Sequence, residues 1–171
     1  MFTLVIGGSA SGKSAFAESL VMRLPGQRIY LATMRPWDGE CLDRIARHRR
    51  LRRDKGFETL ERYTDLAGAE VPRGANLLLE CVSNLAANEL YDPDGGGVEA
   101  LLRGVDALLE RCENLTAVTN EVFSGGASYE GDTLAYLRAL AQVNRALAER
   151  ADAVVEVACG LPHVLKGGPL P

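Results

Sequence analysis

The chain has 171 residues, of which 47% are hydrophobic and 25% charged, and its formal net charge at pH 7 is -4. This length and apolar content suit one globular core, so we expect a single domain spanning residues 1–171. The negative balance argues against general affinity for nucleic acid. The absence of a long apolar run or of a leader-like start predicts a cytoplasmic protein without a membrane span.

The first segment reads as a strand, a glycine-rich loop and a helix. An apolar run over residues 2–6 precedes the loop, and an alanine-containing helical pattern follows it. The loop has the pattern of glycine, four residues, then Gly-Lys-Ser, in the strand-to-helix context where this pattern binds phosphates. Its residues are Gly7, Gly8, Ser9, Ala10, Ser11, Gly12, Lys13 and Ser14. The sequence therefore predicts binding of a nucleoside triphosphate.

The loop residues have separate expected roles. Gly7, Gly8 and Gly12 allow the backbone N–H groups to approach the phosphates closely. The N-terminus of the following helix adds a partial positive charge. We expect the Lys13 ammonium to reach the outer phosphates and the Ser14 hydroxyl to ligate Mg²⁺.

Strand and helix patterns alternate along the rest of the chain. Strands are predicted at residues 28–32, 57–60, 76–81, 115–119 and 152–157. Helices are predicted over residues 40–54, 82–90, 98–112 and 132–150, with a short tail after Gly160. The alternation predicts an α/β fold with an open, mostly parallel sheet and helices on both faces.

Polar residues follow several of these strands, at the edge where such sheets bind ligands. We expect Thr33, Glu80, Asn120 and Glu121 to gather there. Glu80 ends an apolar strand, where phosphate-loop proteins place a carboxylate that holds Mg²⁺ beside Ser14. Glu121 is an alternative metal-holding carboxylate, and Asn120 equally suits capping of the following turn.

A basic segment lies between residues 44 and 55. It contains Arg44, Arg47, His48, Arg49, Arg50, Arg52, Arg53 and Lys55. On a helix, Arg44, His48 and Arg52 share one face. Nearby cations disfavour the imidazolium, so His48 is expected to be neutral and able to attack phosphorus, while the arginines neutralise phosphates. A solvated helix face and a nucleic-acid patch are the alternatives. His163, the other histidine, is expected to have no catalytic role.

Six blocks of the sequence together resemble one family. They are residues 7–14, 30–33, 44–49 with Arg52, 78–81, 119–122 and 160–166. These blocks resemble the bifunctional adenosylcobinamide kinase / adenosylcobinamide-phosphate guanylyltransferases of cobalamin biosynthesis. The glycine-rich loop is shared with many kinases, whereas the Arg-Ile-x-x-His block followed by the Asn-Glu-Val block is far more specific. The resemblance favours a chemical role for His48.

The resemblance implies a P-loop NTPase fold of the RecA-like type and two reactions. The first phosphorylates the hydroxyl of adenosylcobinamide from ATP or GTP, and the second transfers GMP from GTP through a histidine, matched here by His48. It also implies Mg²⁺ held by Ser14 and Glu80, a catalytic Lys13, a corrinoid partner and a small homo-oligomer. Beyond the loop, the implied nucleotide site comprises Ala32, Thr33, Met34, Arg49, Arg50, Leu51, Arg52, Glu61 and Glu80.

The chain departs from the family after Val122, where it has Phe-Ser-Gly-Gly-Ala-Ser over residues 123–128. The resemblance therefore assigns no residue to corrinoid binding. Two other functions stay open on sequence grounds. One is a small-molecule kinase without guanylyltransferase activity, and the other is a nucleotide-dependent regulatory or nucleic-acid-associated ATPase.

Overall fold

The computed structural model describes residues 1–124, 128–168 and 170, apart from the side chain of Leu51, and these residues form seven strands and five α-helices. They are β1 (Phe2–Gly7), α1 (Lys13–Arg23), β2 (Arg28–Ala32), α2 (Gly39–Arg52), β3 (Phe57–Glu61), β4 (Asn76–Glu80), α3 (Val82–Tyr91), α4 (Gly97–Leu109), β5 (Asn114–Asn120), α5 (Gly131–Arg150), β6 (Ala153–Ala158) and β7 (Leu161–Lys166). A short 3-10 helix, Leu66–Gly68, precedes β4. Every predicted strand and helix is present, with its ends moved by a few residues.

The strands form one sheet in the order β3-β2-β4-β5-β1-β6-β7. All neighbouring pairs are parallel except β6 with β7. The register pairs Ala32 with Glu80 and Gly7 with Asn120, so the carboxyl ends of β1, β2, β4 and β5 share one edge. The predicted α/β class, an open, mostly parallel sheet with helices on both faces and a glycine-rich loop between β1 and α1, is confirmed.

The prediction of a short tail after Gly160 is wrong, because this segment forms β7. Cys159 and Gly160 have φ values of 51° and 78° and make the two-residue turn between Ala158 and Leu161. Such a turn matches the twist of an antiparallel pair and sets its register. All six residues of β7 are exposed. The strand therefore has no buried face to produce a recognisable hydrophobic pattern.

Apolar side chains cover both faces of the sheet. On one face, Leu31, Leu77 and Leu79 pack among residues of α3, α4 and α5. On the other face, Tyr30 and Leu78 pack among residues of α1. β4 is buried along its whole length, which explains its continuous apolar sequence. The described helices include none that is both long and apolar enough to cross a membrane.

Helix α2 carries the basic segment and lies on the same side of the sheet as α1. Its N-cap residue, Asp38, accepts a hydrogen bond of 2.8 Å from Cys41 N. Basic residues occupy its last turn, where the helix dipole favours positive charge. Just beyond the helix, Lys55 forms an ion pair with the buried Glu18 of α1. This pair fixes the C-terminal end of α2 against α1.

Candidate active site

The phosphate loop connects β1 to α1 in a conformation that depends on its glycines. Gly12 has a φ of 93°, and a Cβ on Gly7 would lie 2.5 Å from Val157 O. Gly160 N donates a hydrogen bond of 2.8 Å to Ser11 O, so the turn between β6 and β7 braces the loop. Larger residues at positions 7 and 12 would therefore displace the loop backbone.

Lys13 and Ser14 begin α1 and face the loop and β4. The Lys13 side chain is buried, and its Nζ donates a hydrogen bond of 2.9 Å to Gly8 O. Burial lowers the pKa of this ammonium and Arg44 lowers it further, while Cys81 and Glu80 oppose the shift. Ser14 Oγ donates a hydrogen bond to Glu80 Oε1. The predicted neighbours Ser14 and Glu80 are thus in direct contact.

Glu80 ends β4 as a buried carboxylate between the loop and α2. Its second oxygen, Oε2, is buried and has no hydrogen-bond partner of normal geometry among the described residues. The oxygen atoms of Ser14 and Glu80 are the donor type that Mg²⁺ prefers, and Mg²⁺ commonly completes its shell with phosphate oxygens and water. A free buried carboxylate oxygen next to a phosphate loop therefore fits a magnesium ion.

Thr33 fixes the backbone that carries Glu80. Its N–H donates to Glu80 O at 3.1 Å, and its Oγ1 both donates to Cys81 O and accepts from Cys81 N, each at 2.8 Å. The Glu80–Cys81 peptide bond between these contacts is cis. Asn88 Nδ2 donates to Thr33 O at 2.9 Å. The Thr33 hydroxyl is thus already engaged in positioning the end of β4.

His48 is half-buried on α2, near Glu80. Burial lowers the pKa of its imidazole, Arg52 and Arg47 lower it further, and the charges of Glu80 and Glu18 act in the opposite direction. The sequence predicted the lowered pKa from the neighbouring cations, but burial is the larger cause. A lowered pKa keeps the imidazole neutral, which is the form that attacks phosphorus.

Arg52 packs on the aromatic ring of Tyr30 in β2. Its guanidinium carbon lies 3.3 Å from the ring centroid, and only 6% of the residue is exposed. Its Nε and one terminal nitrogen, Nη1, are buried without a hydrogen-bond partner in the described chain. Arg44, on the same face of α2, acts on the pKa of Lys13. The electrostatic effects of Arg44 on Lys13 and of Glu80 on His48 indicate that the helix face shared by Arg44, His48 and Arg52 lies near the phosphate loop and Glu80.

Several predicted nucleotide-site residues lie further from the loop. Arg49 forms an ion pair with Glu61, whose other oxygen accepts a 2.8 Å hydrogen bond from the Tyr63 hydroxyl. Arg49 and Arg50 line an open groove on α2 that does not include His48. The side chain of Leu51 lies outside the described part of the structure. Ala32 is the last residue of β2. Met34 is half-buried and directly follows Thr33.

The polar side chains of Asn120, which ends β5, and of Glu121, which follows it, have partners other than Glu80. Asn120 Nδ2 donates to Ser83 Oγ at 2.7 Å, which ties β5 to α3. The Glu121 carboxylate accepts hydrogen bonds from Phe123 N at 2.8 Å and from Ser124 Oγ at 2.7 Å. These bonds lower the pKa of Glu121. In this structure the Glu121 carboxylate is engaged in its own turn, whereas the Glu80 carboxylate contacts Ser14 of the loop.

Sequence reasoning assigned no role to Tyr30, although its ring and hydroxyl adjoin Arg52 and Glu80. A tyrosine in a buried strand, two residues before the strand end, is the signal that was available. The sequence analysis also assigned no role to Arg35. Its guanidinium carbon lies 5.4 Å from the ring centroid of Trp37 and 5.1 Å from that of Tyr63, and its side chain pairs with Asp92.

Comparisons with known proteins give full-length matches. Residues 3–165 match the family model described as "Cobinamide kinase / cobinamide phosphate guanyltransferase". The bifunctional adenosylcobalamin biosynthesis protein CobP of Pseudomonas aeruginosa is 36% identical over 177 residues, covering 99% of this chain and 100% of that protein. The bifunctional adenosylcobalamin biosynthesis proteins CobU of Escherichia coli and Salmonella typhimurium are each 34% identical over 184 residues, covering 97% of this chain and 100% of theirs.

Among solved structures, an ATPase from the type III secretion system of pathogenic bacteria is 14% identical, with a TM-score of 0.48. The alignment covers 91% of this chain and spans 50% of the ATPase chain.

Proposed function

The chain belongs to the cobinamide kinase / cobinamide phosphate guanyltransferase family, and from this premise we propose how one site carries out both reactions. The enzyme acts in adenosylcobalamin biosynthesis on a nucleoside triphosphate and a corrinoid. Its phosphate loop binds the triphosphate for both reactions. The γ-phosphoryl group is transferred to an alcohol, or the α-phosphoryl group is attacked by His48.

In the kinase reaction, the hydroxyl oxygen of adenosylcobinamide attacks the γ-phosphorus of ATP or GTP. A new O–P bond forms, the hydroxyl proton is released to water, the bond to the β,γ-bridging oxygen breaks, and a nucleoside diphosphate leaves. The loop N–H groups and the Lys13 ammonium hold the phosphates and offset their growing charge. Lys13 already lies against Gly8 O, so it needs only to turn from its own loop to the incoming phosphates.

We include Mg²⁺ in this proposal, held by the Ser14 hydroxyl and the Glu80 carboxylate together with phosphate oxygens. When bound, it would neutralise phosphate charge during transfer. Support comes from the contact between Ser14 and Glu80 and from the unpartnered Glu80 Oε2.

In the guanylyltransferase reaction, a nitrogen of the neutral His48 imidazole attacks the α-phosphorus of GTP. An N–P bond forms, the bond to the α,β-bridging oxygen breaks, and pyrophosphate leaves. A phosphate oxygen of adenosylcobinamide phosphate then attacks the same phosphorus, so the N–P bond breaks and the free imidazole is restored. Arg44 and Arg52, on the same helix face, neutralise the phosphates during both steps.

The observation that carries this proposal is the position of His48 near Glu80, at the end of the sheet where the phosphate loop lies. Glu80 acts on the pKa of His48, and Glu80 itself contacts Ser14 of the loop. An idle histidine on a solvated helix face would be exposed, whereas His48 is half-buried beside a buried arginine. The arrangement therefore supports a chemical role better than the solvated-face alternative.

The test is incubation with Mg²⁺ and GTP labelled at the α-phosphate. We expect an acid-labile, base-stable label on the protein, as a phosphoramidate requires, and its absence in His48→Ala. The matched control is His163→Ala, which removes the other histidine from the exposed strand β7 and should label normally. An unlabelled wild-type protein, or a label that persists in His48→Ala, would contradict the covalent mechanism.

Two broader features complete the proposal. Both reactions take place within one domain formed by residues 1–171, since the loop, Glu80 and α2 are all positioned by one sheet.

The chain also forms a small homo-oligomer. Its exposed edge strand β7 presents Leu161, Val164 and Leu165, and unprotected apolar edges commonly pair with another chain. Sedimentation should give a mass of at least twice the 18.4 kDa of one chain, and the mass of a single chain would contradict the proposed oligomer.

A further inference from the structure

Tyr30 lies between Arg52 of helix α2 and the Glu80 carboxylate near the phosphate loop. It is 4% exposed, in the middle of β2. Parallel register pairs Tyr30 with Leu78 and Ala32 with Glu80, so Tyr30 and Glu80 project from the same face of neighbouring strands. Neither of the two reactions described above uses the Tyr30 side chain.

The ring of Tyr30 supports Arg52. The guanidinium is stacked 3.3 Å from the ring centroid, and two of its nitrogens have no hydrogen-bond partner among the described residues. A buried cation with unsatisfied donors is costly, and the negative face of an aromatic ring offsets part of that cost. Arg52 is one helical turn from His48. The ring therefore fixes the orientation of the helix face that carries the imidazole.

The hydroxyl of Tyr30 faces Glu80. Tyr30 and Glu80 lie on the same face of neighbouring strands, and the phenol interacts with the Glu80 carboxylate. A phenol is protonated at neutral pH and can donate a hydrogen bond. Glu80 Oε1 accepts from Ser14, and Oε2 makes no hydrogen bond of normal geometry in the described chain. Tyr30 is thus the neutral donor next to the carboxylate that we propose holds Mg²⁺.

We propose that Tyr30 is a positioning residue that serves both reactions through two parts of one side chain. Its ring holds Arg52, and with it the His48 face of α2, in place for guanylyl transfer. Its hydroxyl keeps the Glu80 carboxylate oriented beside Ser14 for the kinase reaction. This inference rests on the proposed function and adds to it a physical link between the two halves of the site.

The experiment compares Tyr30→Phe, which keeps the ring, with Tyr30→Leu, which removes ring and hydroxyl. Equilibrium dialysis measures the affinity for GTP in EDTA and in Mg²⁺, and labelling from α-phosphate-labelled GTP measures the transfer step. We expect Tyr30→Phe to lower the magnesium-dependent gain in GTP affinity about tenfold, because Glu80 loses the neighbouring hydroxyl that orients it. We expect Tyr30→Leu to lower also the metal-free affinity and the His48 labelling rate, each by about tenfold, because Arg52 loses its ring.

The matched control is Phe57→Leu. Phe57 packs edge-on against Tyr30, with centroids 6.3 Å apart and an interplanar angle of 81°, so its removal loosens the same ring without deleting either contact. Urea unfolding shows whether each variant is folded, and Tyr30→Phe keeps nearly the full volume of the core. Phe57→Leu should retain the magnesium-dependent gain and most of the labelling.

Three results would overturn the inference. The first is an unchanged magnesium-dependent gain in Tyr30→Phe, and the second is an unchanged labelling rate in folded Tyr30→Leu. The third is an equal loss in Phe57→Leu, which would assign the whole effect to packing. Failure of the proposed function itself is separate, because it would show as a lack of label on the wild-type protein.

Discussion

The His48 imidazole lies in an environment that disfavours its charged form. Burial and the charges of Arg52 and Arg47 lower its pKa, against the opposing charges of Glu80 and Glu18. We therefore predict that His48 titrates below the ordinary value of about 6.5. As the pH falls through 6.5, the imidazole stays neutral and the labelling rate persists, and the rate is lost only once the pH passes the lowered pKa.

NMR titration of the imidazole protons measures this pKa directly, with His163→Ala to assign the two signals. Glu80→Gln removes an opposing negative charge, so it should lower the pKa of His48 further. The same shift affects folding, since below about pH 6.5 the unfolded chain binds a proton at this site that the native chain does not, and stability falls. A pKa at or above the ordinary value would contradict the prediction.

At the residue scale, the sequence was most informative where a motif has fixed spacing. Lys13, Ser14 and Glu80 were identified because loop, helix start and strand end follow from local pattern. The environment of His48 was only partly predictable, since its burial depends on how α2 docks. Tyr30 was missed for the same reason. Its partners come from α2 and β4, and no local pattern connects a strand tyrosine to an arginine 22 positions later.

At the element scale, the phosphate loop depends on a close approach of two backbones. A Cβ on Gly7 would lie 2.5 Å from Val157 O and 2.6 Å from Ser11 Oγ, whereas a Cβ on Gly8 would meet nothing within 4 Å. We predict that Gly7→Ala destabilises the protein by about 2 kcal/mol through overpacking, and that Gly8→Ala changes stability by less than about 0.5 kcal/mol. Urea unfolding of the two variants checks this, and equal effects would rule out the steric explanation.

The docking of α2 onto α1 gives a second prediction at this scale. Lys55 pairs with Glu18, whose side chain is only 6% exposed. Lys55→Met leaves a buried carboxylate without its partner, so we expect a loss of about 1–3 kcal/mol in the free energy of unfolding and slower labelling of His48. Adding Glu18→Leu removes the unpaired charge and should recover part of the stability. Additive losses in the double variant would show that the pair is not coupled.

Elements with a buried face were predictable, and an element without one was not. β4 is buried along its length and was predicted from its continuous apolar run. Helix α2 was predicted from the spacing of Leu42, Ile45 and Ala46 among charged residues. β7 has no buried residue, so only its turn and its pairing with β6 define it. The end of α2 was placed at residue 54, two residues late, because the basic composition continues beyond Arg52.

At the scale of the whole molecule, alternation of strands and helices was sufficient to predict a mostly parallel sheet. It did not predict the strand order, in which β5 lies between β1 and β4. That order determines the site, because it places Glu80 across from the phosphate loop while Glu121 follows the intervening strand and closes its own turn. Which of two strand-end carboxylates faces the loop is therefore a property of topology and not of local sequence.

If one triphosphate site serves both reactions, two variants should distinguish this enzyme from a kinase that lacks guanylyltransferase activity. In the proposed mechanism Lys13 holds phosphates in both reactions, so Lys13→Met should lower kinase and guanylyltransferase rates together, by about a hundredfold or more. His48→Asn should lower the guanylyltransferase rate about a thousandfold or more and the kinase rate far less, because only the transfer of GMP passes through the imidazole. Separate assays with adenosylcobinamide and with adenosylcobinamide phosphate measure the two rates. An equal loss of both rates in His48→Asn would indicate that the histidine supports the shared site without carrying GMP. A wild-type protein that only phosphorylates adenosylcobinamide would be a kinase without guanylyltransferase activity.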